Sequence, residues 1–151
     1  MQVRFATNKD AKSIIEHNML LATESENESL HLATVEQGVK TLLSHSEKGF
    51  YLVAEENKKV IGQLMITFEW SDWRNTSIWW IQSVYVHKDY RKKGVFSSLF
   101  NEVKRLAKEQ DIPLLRLYVH KDNASAHHVY EKQNMTAGLY RFYEIAVERA
   151  Y

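Results

Sequence analysis

The sequence contains no cysteine, a single proline and only five glycines, and these scarcities narrow what the protein can be. Without cysteine it forms no disulfide, no thiolate metal site and no cysteine acyl-enzyme. No apolar run approaches the length needed to cross a membrane, and the stretch from Met1 to Phe5 lacks the pattern of a signal peptide. These absences predict a soluble cytoplasmic protein that does not bind a membrane.

An excess of charge of one sign is also missing, because 20 basic and 19 acidic side chains leave a net charge of +1. With this balance the protein has no overall positive potential to attract nucleic acid, so nucleic-acid binding is not expected. What the chain does have is a length of 151 residues, of which 44% are hydrophobic. That is enough to build an apolar core, and we expect one domain over residues 1–151.

One stretch has the pattern of an anion-binding site. The β-branched run from Ile81 to Val86 predicts a strand, and a short basic loop with one glycine, Gly94, follows it. Apolar residues then recur at helical spacing, which predicts a helix over about Val95–Glu109. The first N–H groups of a helix have no intrahelical acceptor and lie at the positive end of its dipole. An ordinary connection with a solvated basic loop, Arg91-Lys92-Lys93, is the alternative interpretation.

A second stretch repeats the order of strand, turn and helix. The residues from Leu114 to Val119 predict a strand, and Asp122 or Asn123 is the expected N-cap of a short helix. That helix would place Ala126, Val129 and Tyr130 on one face.

Taken together, the two stretches resemble the signature motifs of the GCN5-related N-acetyltransferase (GNAT) superfamily. The first motif is Arg/Gln-x-x-Gly-x-Gly/Ala between a strand and a helix; Arg91 and Gly94 match it, whereas Phe96 replaces a small residue. The departure concerns a contact that the family makes through a backbone N–H.

The second motif of the family is Asn-x-x-Ala-x-x-x-Tyr-x-x-x-Gly-Phe. Asn123, Ala126 and Tyr130 match it, and Asn134-Met135 stands in place of Gly-Phe. Asparagine tolerates the left-handed backbone conformation better than most residues, so the replacement is conservative for the backbone.

The resemblance implies an α/β fold, with a mixed, mostly antiparallel sheet and helices on both faces. The hydrophobic pattern fits this layout, with the order β-α-α-β-β-β-α-β-α-β-β. The strands ending at Val86 and Val119 would splay apart, as they do in the family. The last two strands are predicted over Thr136–Leu139 and Tyr140–Val147.

The resemblance also implies acetyl-CoA as co-substrate and supplies roles for individual residues. The pantetheine arm would bond to the backbone of Val84 and Val86, an N–H of Val84 or Tyr85 would meet the oxyanion, and Asn123 would hold the arm or the nearby loop. The diphosphate would bind the N–H groups from Lys92 to Ser97. Tyr130 would be the acid that protonates the thiolate, with core packing as its rival role. The cofactor set is Val84, Tyr85, Val86, Arg91, Lys92, Lys93, Gly94, Val95, Phe96, Ser97, Asn123 and Tyr130.

The general base is left open by the sequence. Relatives use a carboxylate on the central strand, where this chain has Gln82, which cannot ionise. Glu69 and Asp72 in the preceding turn are the first candidates, followed by Glu24 and by a histidine, His120. Each has an ordinary surface or capping role as the alternative. His127 and His128 are adjacent on a helix and point apart, so no metal site is expected.

Aromatic and acidic side chains predict a small cationic acceptor. Trp70 and neighbouring aromatic residues crowd one hairpin, where an amine could lie between carboxylates and indole faces. An acidic segment before it occupies a position where the family commonly lines its acceptor pocket. The predicted substrate residues are Glu24, Asn27, Glu69, Trp70 and Asp72. Cross-strand packing or a homodimer contact would explain the tryptophans equally well.

Two functional hypotheses follow. The first is an N-acetyltransferase that transfers acetyl from acetyl-CoA to a primary amine by direct attack in a ternary complex. The second is a non-catalytic acyl-CoA-binding sensor or interaction module, which needs the loop but no base. A phosphate binder of the P-loop type is excluded because Gly-x-x-x-x-Gly-Lys-Ser/Thr is absent.

Overall fold

The structure is a computed structural model that describes residues 1–147. The chain divides into two compact units, Met1–His120 and the residues from Lys121 onward. Among the described residues, no helix is long and apolar enough to cross a membrane.

The first unit contains five strands and three α-helices, and the described part of the second, up to residue 147, contains one helix. In chain order the elements are β1 (Gln2–Phe5), α1 (Ala11–Ser25), α2 (Leu32–Ser44), β2 (Gly49–Glu56), β3 (Lys59–Ser71), β4 (Thr76–Val86), α3 (Val95–Glu109), β5 (Leu115–Arg116) and, in the second unit, α4 (Ala124–Lys132). Short 3₁₀ turns precede α1 and follow β4.

The sheet is mixed, and its spatial order is β1-β2-β3-β4-β5. The first three pairings are antiparallel, and the pairing of β4 with β5 is parallel. The predicted fold class, a mixed and mostly antiparallel α/β sheet, is therefore confirmed.

Helices cover both faces of this sheet, as expected. On one face α1 and α2 bury Ile14 and Val39 against Val53 of β2. On the other face α3 packs so closely on β3 that a Cβ added to Gly62 would lie 2.8 Å from Val95 Cγ1. Only glycine leaves room for the helix at this distance, so Gly62 sets how near the start of α3 lies to the sheet.

The end of the chain requires a correction. The described residues 136–147 form no strand, and β5 ends at Arg116 instead of continuing to Val119. Leu139 is 99% exposed and Tyr143 is 92% exposed. This segment therefore contains residues that favour strands but lies beside no described strand with which it could pair. Strand propensity reflects packing and pairing more than an intrinsic backbone preference, and it is therefore insufficient here. The earlier order, from β1 to α4, agrees with the prediction.

Candidate functional site

The centre of the candidate site is a β-bulge in β4. The pairing of β3 with β4 passes from Gln63 opposite Tyr85 to Met65 opposite Gln82, so β4 contains one extra residue. Within this stretch Ser83 has a φ of 49°, in the left-handed region that residues with a Cβ rarely adopt. A bulge re-aims the backbone of its strand and is over-represented beside active sites.

Beside the bulge, β4 and β5 part. Their pairing is confined to Trp79 with Leu115 and Trp80 with Arg116, and β4 then runs on to Val86 without β5 beside it. The resemblance implied such a splay. The parting leaves an open sheet edge along the bulged half of β4, where an extended ligand could bond to the backbone.

The loop after β4 ends in an open helix N-terminus. Gly94 has a φ of 78° and no side chain to cap α3, and the first bond of the helix joins Ser98 N–H to Gly94 O at 3.0 Å. A Cβ added to Gly94 would meet nothing within 4 Å. The space in front of these amides is therefore accessible, which fits a diphosphate.

The three cations of this loop have different surroundings. Arg91 donates from Nε to Val86 O at 2.9 Å and forms an ion pair with Glu24. Lys93 donates to Asp89 O at 2.9 Å. Lys92 makes no side-chain hydrogen bond or ion pair with residues 1–147, so its charge is uncompensated by a neighbour and available to an anion.

Glu24 connects the end of α1 to the end of β4. The Tyr85 hydroxyl donates to Glu24 Oε1 at 3.1 Å, and the hydrogen bond from Arg91 lowers the pKa of the Glu24 carboxyl. Burial raises the pKa of the Tyr85 phenol, and hydrogen bonding to Glu24 adds to the effect. Glu24 is thus held ionised beside the bulge. Asn27 follows in the exposed segment after α1.

Glu69, Trp70 and Asp72 lie at the other end of β4. Glu69 and Trp70 belong to β3 and not to a turn, because β3 continues to Ser71. Glu69 lies opposite Ile78 and forms an ion pair with Arg116 at 2.9 Å. Asp72, in the hairpin turn, accepts the Trp73 N–H at 2.9 Å.

The structure therefore does not gather the predicted acceptor residues in one place. Glu69 faces Ile78, whereas Glu24 contacts Tyr85, seven residues further along β4. At about 3.3 Å per strand residue, these two positions of β4 lie roughly 20 Å apart along the strand. Glu24 is the acidic candidate beside the bulge, and Glu69 and Asp72 are the distant ones.

Gln82 occupies the position before the bulge. Its Nε2 donates to Thr67 Oγ1 at 2.5 Å, and its Oε1 accepts from the Tyr118 hydroxyl at 3.4 Å. Both ends of the carboxamide are thus bonded to neighbouring side chains, which suits a structural role. His120, the remaining base candidate, is exposed.

The second unit contains the remaining predicted residues. Asn123 is the N-cap of α4, and its Oδ1 accepts the Ala126 N–H at 3.1 Å, so the capping prediction is confirmed. Tyr130 lies on α4, and burial raises the pKa of its phenol. A phenol is protonated at neutral pH even without this shift, so the hydroxyl has a proton to donate, as a general acid requires.

Sequence analysis missed a polar cluster beneath the bulge, formed by the buried His17 of α1 and Gln63 of β3 together with the half-buried Asn18 of α1. The one available signal is Gln63 itself, a polar residue inside the otherwise apolar run Val60–Ile66. No metal site lies among residues 1–147, since no group of three or more suitable side chains occurs there.

Comparisons with known proteins identify the family of the chain. The model of the acetyltransferase (GNAT) family matches residues 13–135. A crystal structure of a possible acetyltransferase from Clostridium difficile 630 is 43% identical, with 98% of each chain covered and a TM-score of 0.92.

Two further relatives are more distant. Streptothricin acetyltransferase A of Bacillus subtilis (strain 168) is 35% identical over 91 residues, 60% of this chain, and the match spans about half of that relative's length. A predicted acetyltransferase from Clostridium acetobutylicum, crystallised with acetyl-CoA, has a TM-score of 0.78 at 18% identity, with 96% of this chain and 95% of that chain covered. The family match, the relative from Clostridium difficile and the geometry lead to one conclusion: the chain belongs to the acetyltransferase (GNAT) family, whose members use acetyl-CoA as co-substrate.

Proposed function

We propose that this protein transfers the acetyl group of acetyl-CoA to a primary amine of a small cationic acceptor, and that the amine attacks directly in a ternary complex. The observation that carries the proposal is the bulged, open half of β4, which leads directly into the Gly94 helix start. Family membership supports acetyl transfer, and a sequence without cysteine argues against a thiol acyl-enzyme.

The co-substrate would lie along the open half of β4. The backbone of Val84 and Val86 would bond to the pantetheine arm, and the amides from Lys92 to Ser97 would hold the diphosphate. Lys92 would supply charge, while Arg91 would fasten the loop through Val86 O and Glu24. By resemblance to the family motif, Asn123, the N-cap of α4, would hold the arm or the nearby loop.

In the reaction the amine nitrogen attacks the thioester carbon, a C–N bond forms and the C–S bond breaks. The N–H of Val84 or Tyr85 would bond to the oxygen that becomes negative. Tyr130 would give its proton to the departing thiolate, and the second proton that the attacking nitrogen loses would return to the Tyr130 oxygen. The ammonium proton must leave before the attack, and Glu24 is better placed to accept it than Glu69 or Asp72 because it lies beside the bulge.

The first test is calorimetric titration with acetyl-CoA, CoA and desulfo-CoA. We expect micromolar binding to the wild type and loss of binding in Gly94→Trp, because the indole would fill the space before the helix amides. Gly38→Trp is the matched control: it places the same side chain at an exposed glycine of α2. Absence of binding to all three ligands would overturn the proposal.

The second test is an amine screen that follows released CoA thiol with a chromogenic disulfide reagent. Because the chain has no cysteine, every thiol detected derives from the co-substrate. The panel should contain spermidine, lysine, kanamycin and streptothricin, the last because a relative is named a streptothricin acetyltransferase. Turnover with cationic amines, and none with a neutral amide, is the expected result.

A non-catalytic acyl-CoA-binding module is the second candidate. It is favoured by one observation: Glu24 and Glu69 each hold an arginine, and Gln82 cannot ionise. Tyr130→Phe separates the two functions. A turnover at least 100-fold lower with acetyl-CoA affinity unchanged would support catalysis, whereas a wild type that binds acetyl-CoA but acetylates no amine would support the module.

We also propose a homodimer that works in the cytoplasm. Trp70 and Trp73 at the tip of the β3–β4 hairpin are 64% and 87% exposed, and large exposed aromatic residues suit an interface. Sedimentation equilibrium of the wild type and of Trp73→Ser would test the proposal; a wild type that is monomeric at 100 μM would contradict it.

A further inference from the structure

A polar cluster lies beneath the β4 bulge. Gln63 of β3 is fully buried, and its Nε2 donates to Asn18 Oδ1 at 2.8 Å and approaches Ser83 O at 3.4 Å. Asn18 in turn donates to the Tyr51 hydroxyl at 3.4 Å. One carboxamide thus connects α1 to the strained residue of the bulge.

The cluster contacts the bulge from two sides. His17, which is buried next to Asn18, lies with its ring 4.8 Å from the ring of Tyr85. Its Nδ1 has no hydrogen-bond partner among residues 1–147, and neither has Oε1 of Gln63. An imidazole N–H and an amide oxygen are complementary, so these two buried atoms suit a bond with each other, direct or through one water.

Burying the carboxamide of Gln63 at this position costs free energy. Removing an amide from water is unfavourable unless hydrogen bonds replace those to solvent, and leucine would fill a similar volume without that cost. The hydrogen bonds that Gln63 makes are to Asn18 of α1 and to the carbonyl of the bulge residue Ser83. Its placement therefore suggests that the conformation of the bulge depends on it.

Ser83 has the unusual backbone conformation of the bulge. A residue with a Cβ persists at a φ of 49° when its surroundings hold it there. The Ser83 carbonyl and the Val84 N–H belong to one planar peptide unit, so a group that holds this carbonyl also fixes the direction of that N–H, and it sets the direction from which the backbone continues to Tyr85. Val84 and Tyr85 are the residues whose N–H groups we assign to the oxyanion.

We propose that Gln63 is a positioning residue, which holds the Ser83 carbonyl and thereby aims the N–H groups of Val84 and Tyr85 at the thioester oxygen. The effect of Gln63 on the reaction rests on the proposed function, whereas its effect on the conformation of the bulge does not. It concerns a side chain that touches neither substrate, and its effect should appear in kcat and not in acetyl-CoA binding.

The test compares Gln63→Leu and Gln63→Glu with the wild type. We expect kcat of Gln63→Leu to fall 10- to 100-fold, while the Kd for acetyl-CoA stays within threefold. A glutamic acid donates a proton only in its protonated form, so the ratio of Gln63→Glu to wild-type kcat should rise as the pH is lowered from 8 to 6. The ratio for Gln63→Leu should be independent of pH.

Tyr51→Phe is the matched control, because it removes a buried polar atom from the far end of the same cluster. It should leave kcat within threefold of the wild type. A Gln63→Leu protein with wild-type kcat would overturn the inference, and so would a Gln63→Glu protein whose kcat equals that of Gln63→Leu at every pH.

Amide hydrogen exchange provides a readout that needs no activity. Gln63→Leu should accelerate exchange at Val84 and Tyr85 at least 10-fold, and Tyr51→Phe should not. Unchanged exchange at these amides would overturn the inference even if the wild type acetylates no amine. Faster exchange in a protein without turnover would support the positioning role while contradicting the proposed function.

Discussion

At the scale of single residues, the buried His17 makes the stability of the fold depend on pH. Burial lowers the pKa of its imidazole, so the folded protein favours the neutral ring. In the unfolded chain the ring has a pKa of about 6.5, and the unfolded state therefore binds more protons as the pH falls below that value.

The predicted consequence is that the free energy of unfolding falls as the pH is lowered from 7 and keeps falling until the folded pKa is reached. Each unit by which the pKa is lowered corresponds to about 1.4 kcal/mol. Urea titrations between pH 7.5 and 5 measure the effect. It should shrink in His17→Gln and persist in His128→Gln, which changes an exposed histidine of α4; equal slopes in all three proteins would contradict the prediction.

The acidic residues give a second prediction at this scale. Glu24→Gln should raise KM for a cationic amine about tenfold, because a carboxylate beside the bulge is replaced by a neutral group. Glu69→Gln and Asp72→Asn, about 20 Å away along β4, serve as matched controls and should leave KM within twofold. The reverse result, with KM raised by Glu69→Gln alone, would place the acceptor at the β3–β4 hairpin.

At the scale of elements, the turn between β2 and β3 offers a stability test. Asn57 and Lys58 have φ values of 50° and 63°, as a two-residue hairpin turn of type I′ requires. Glycine adopts this conformation without a Cβ penalty. Lys58→Gly should therefore stabilise the fold by about 0.5–1 kcal/mol in urea unfolding.

Lys59→Gly is the control for that substitution. It changes the next residue, at the start of β3, where glycine weakens a strand. We expect a loss of about 0.5–1 kcal/mol. A loss of stability in Lys58→Gly similar to that in Lys59→Gly would show that the turn conformation gains nothing from glycine.

The elements also show what the sequence could predict. The bounds of α3 were predicted correctly because apolar spacing and Gly94 agree, and no distant contact was needed. The bulge in β4 was not predicted, because a bulge arises from how two strands pair and leaves no mark in the pattern of one strand. The two final strands were wrongly predicted because β-forming residues such as Tyr143 need a partner strand.

The candidate site shows the same division. Gly94 and Asn123 could be assigned locally, since a left-handed glycine and an N-cap are properties of short segments. The distance between Glu24 and Glu69 could not be predicted, because it depends on which end of β4 each contacts. The role of Gln63 was hidden for the same reason.

At the scale of the whole molecule, we expect a protease to cleave the exposed segment 136–147 first. Exposed chain without regular structure is a preferred site of cleavage, and Arg141 offers trypsin a bond there. Brief digestion followed by intact-mass measurement should show a product ending at Arg141. A first cut within residues 1–132 would contradict this expectation.

The order of the strands has a consequence for how the protein is made. Neighbours in the sheet are also consecutive in the chain, and short turns join β2, β3 and β4. A meander of this kind can assemble while the ribosome is still adding residues, since its contacts are local. The parallel strand β5 must wait until α3 has crossed the sheet. The gap beside β4 is therefore the last feature of the first unit to take shape, and a nascent chain acquires its proposed ligand site only after its hydrophobic core.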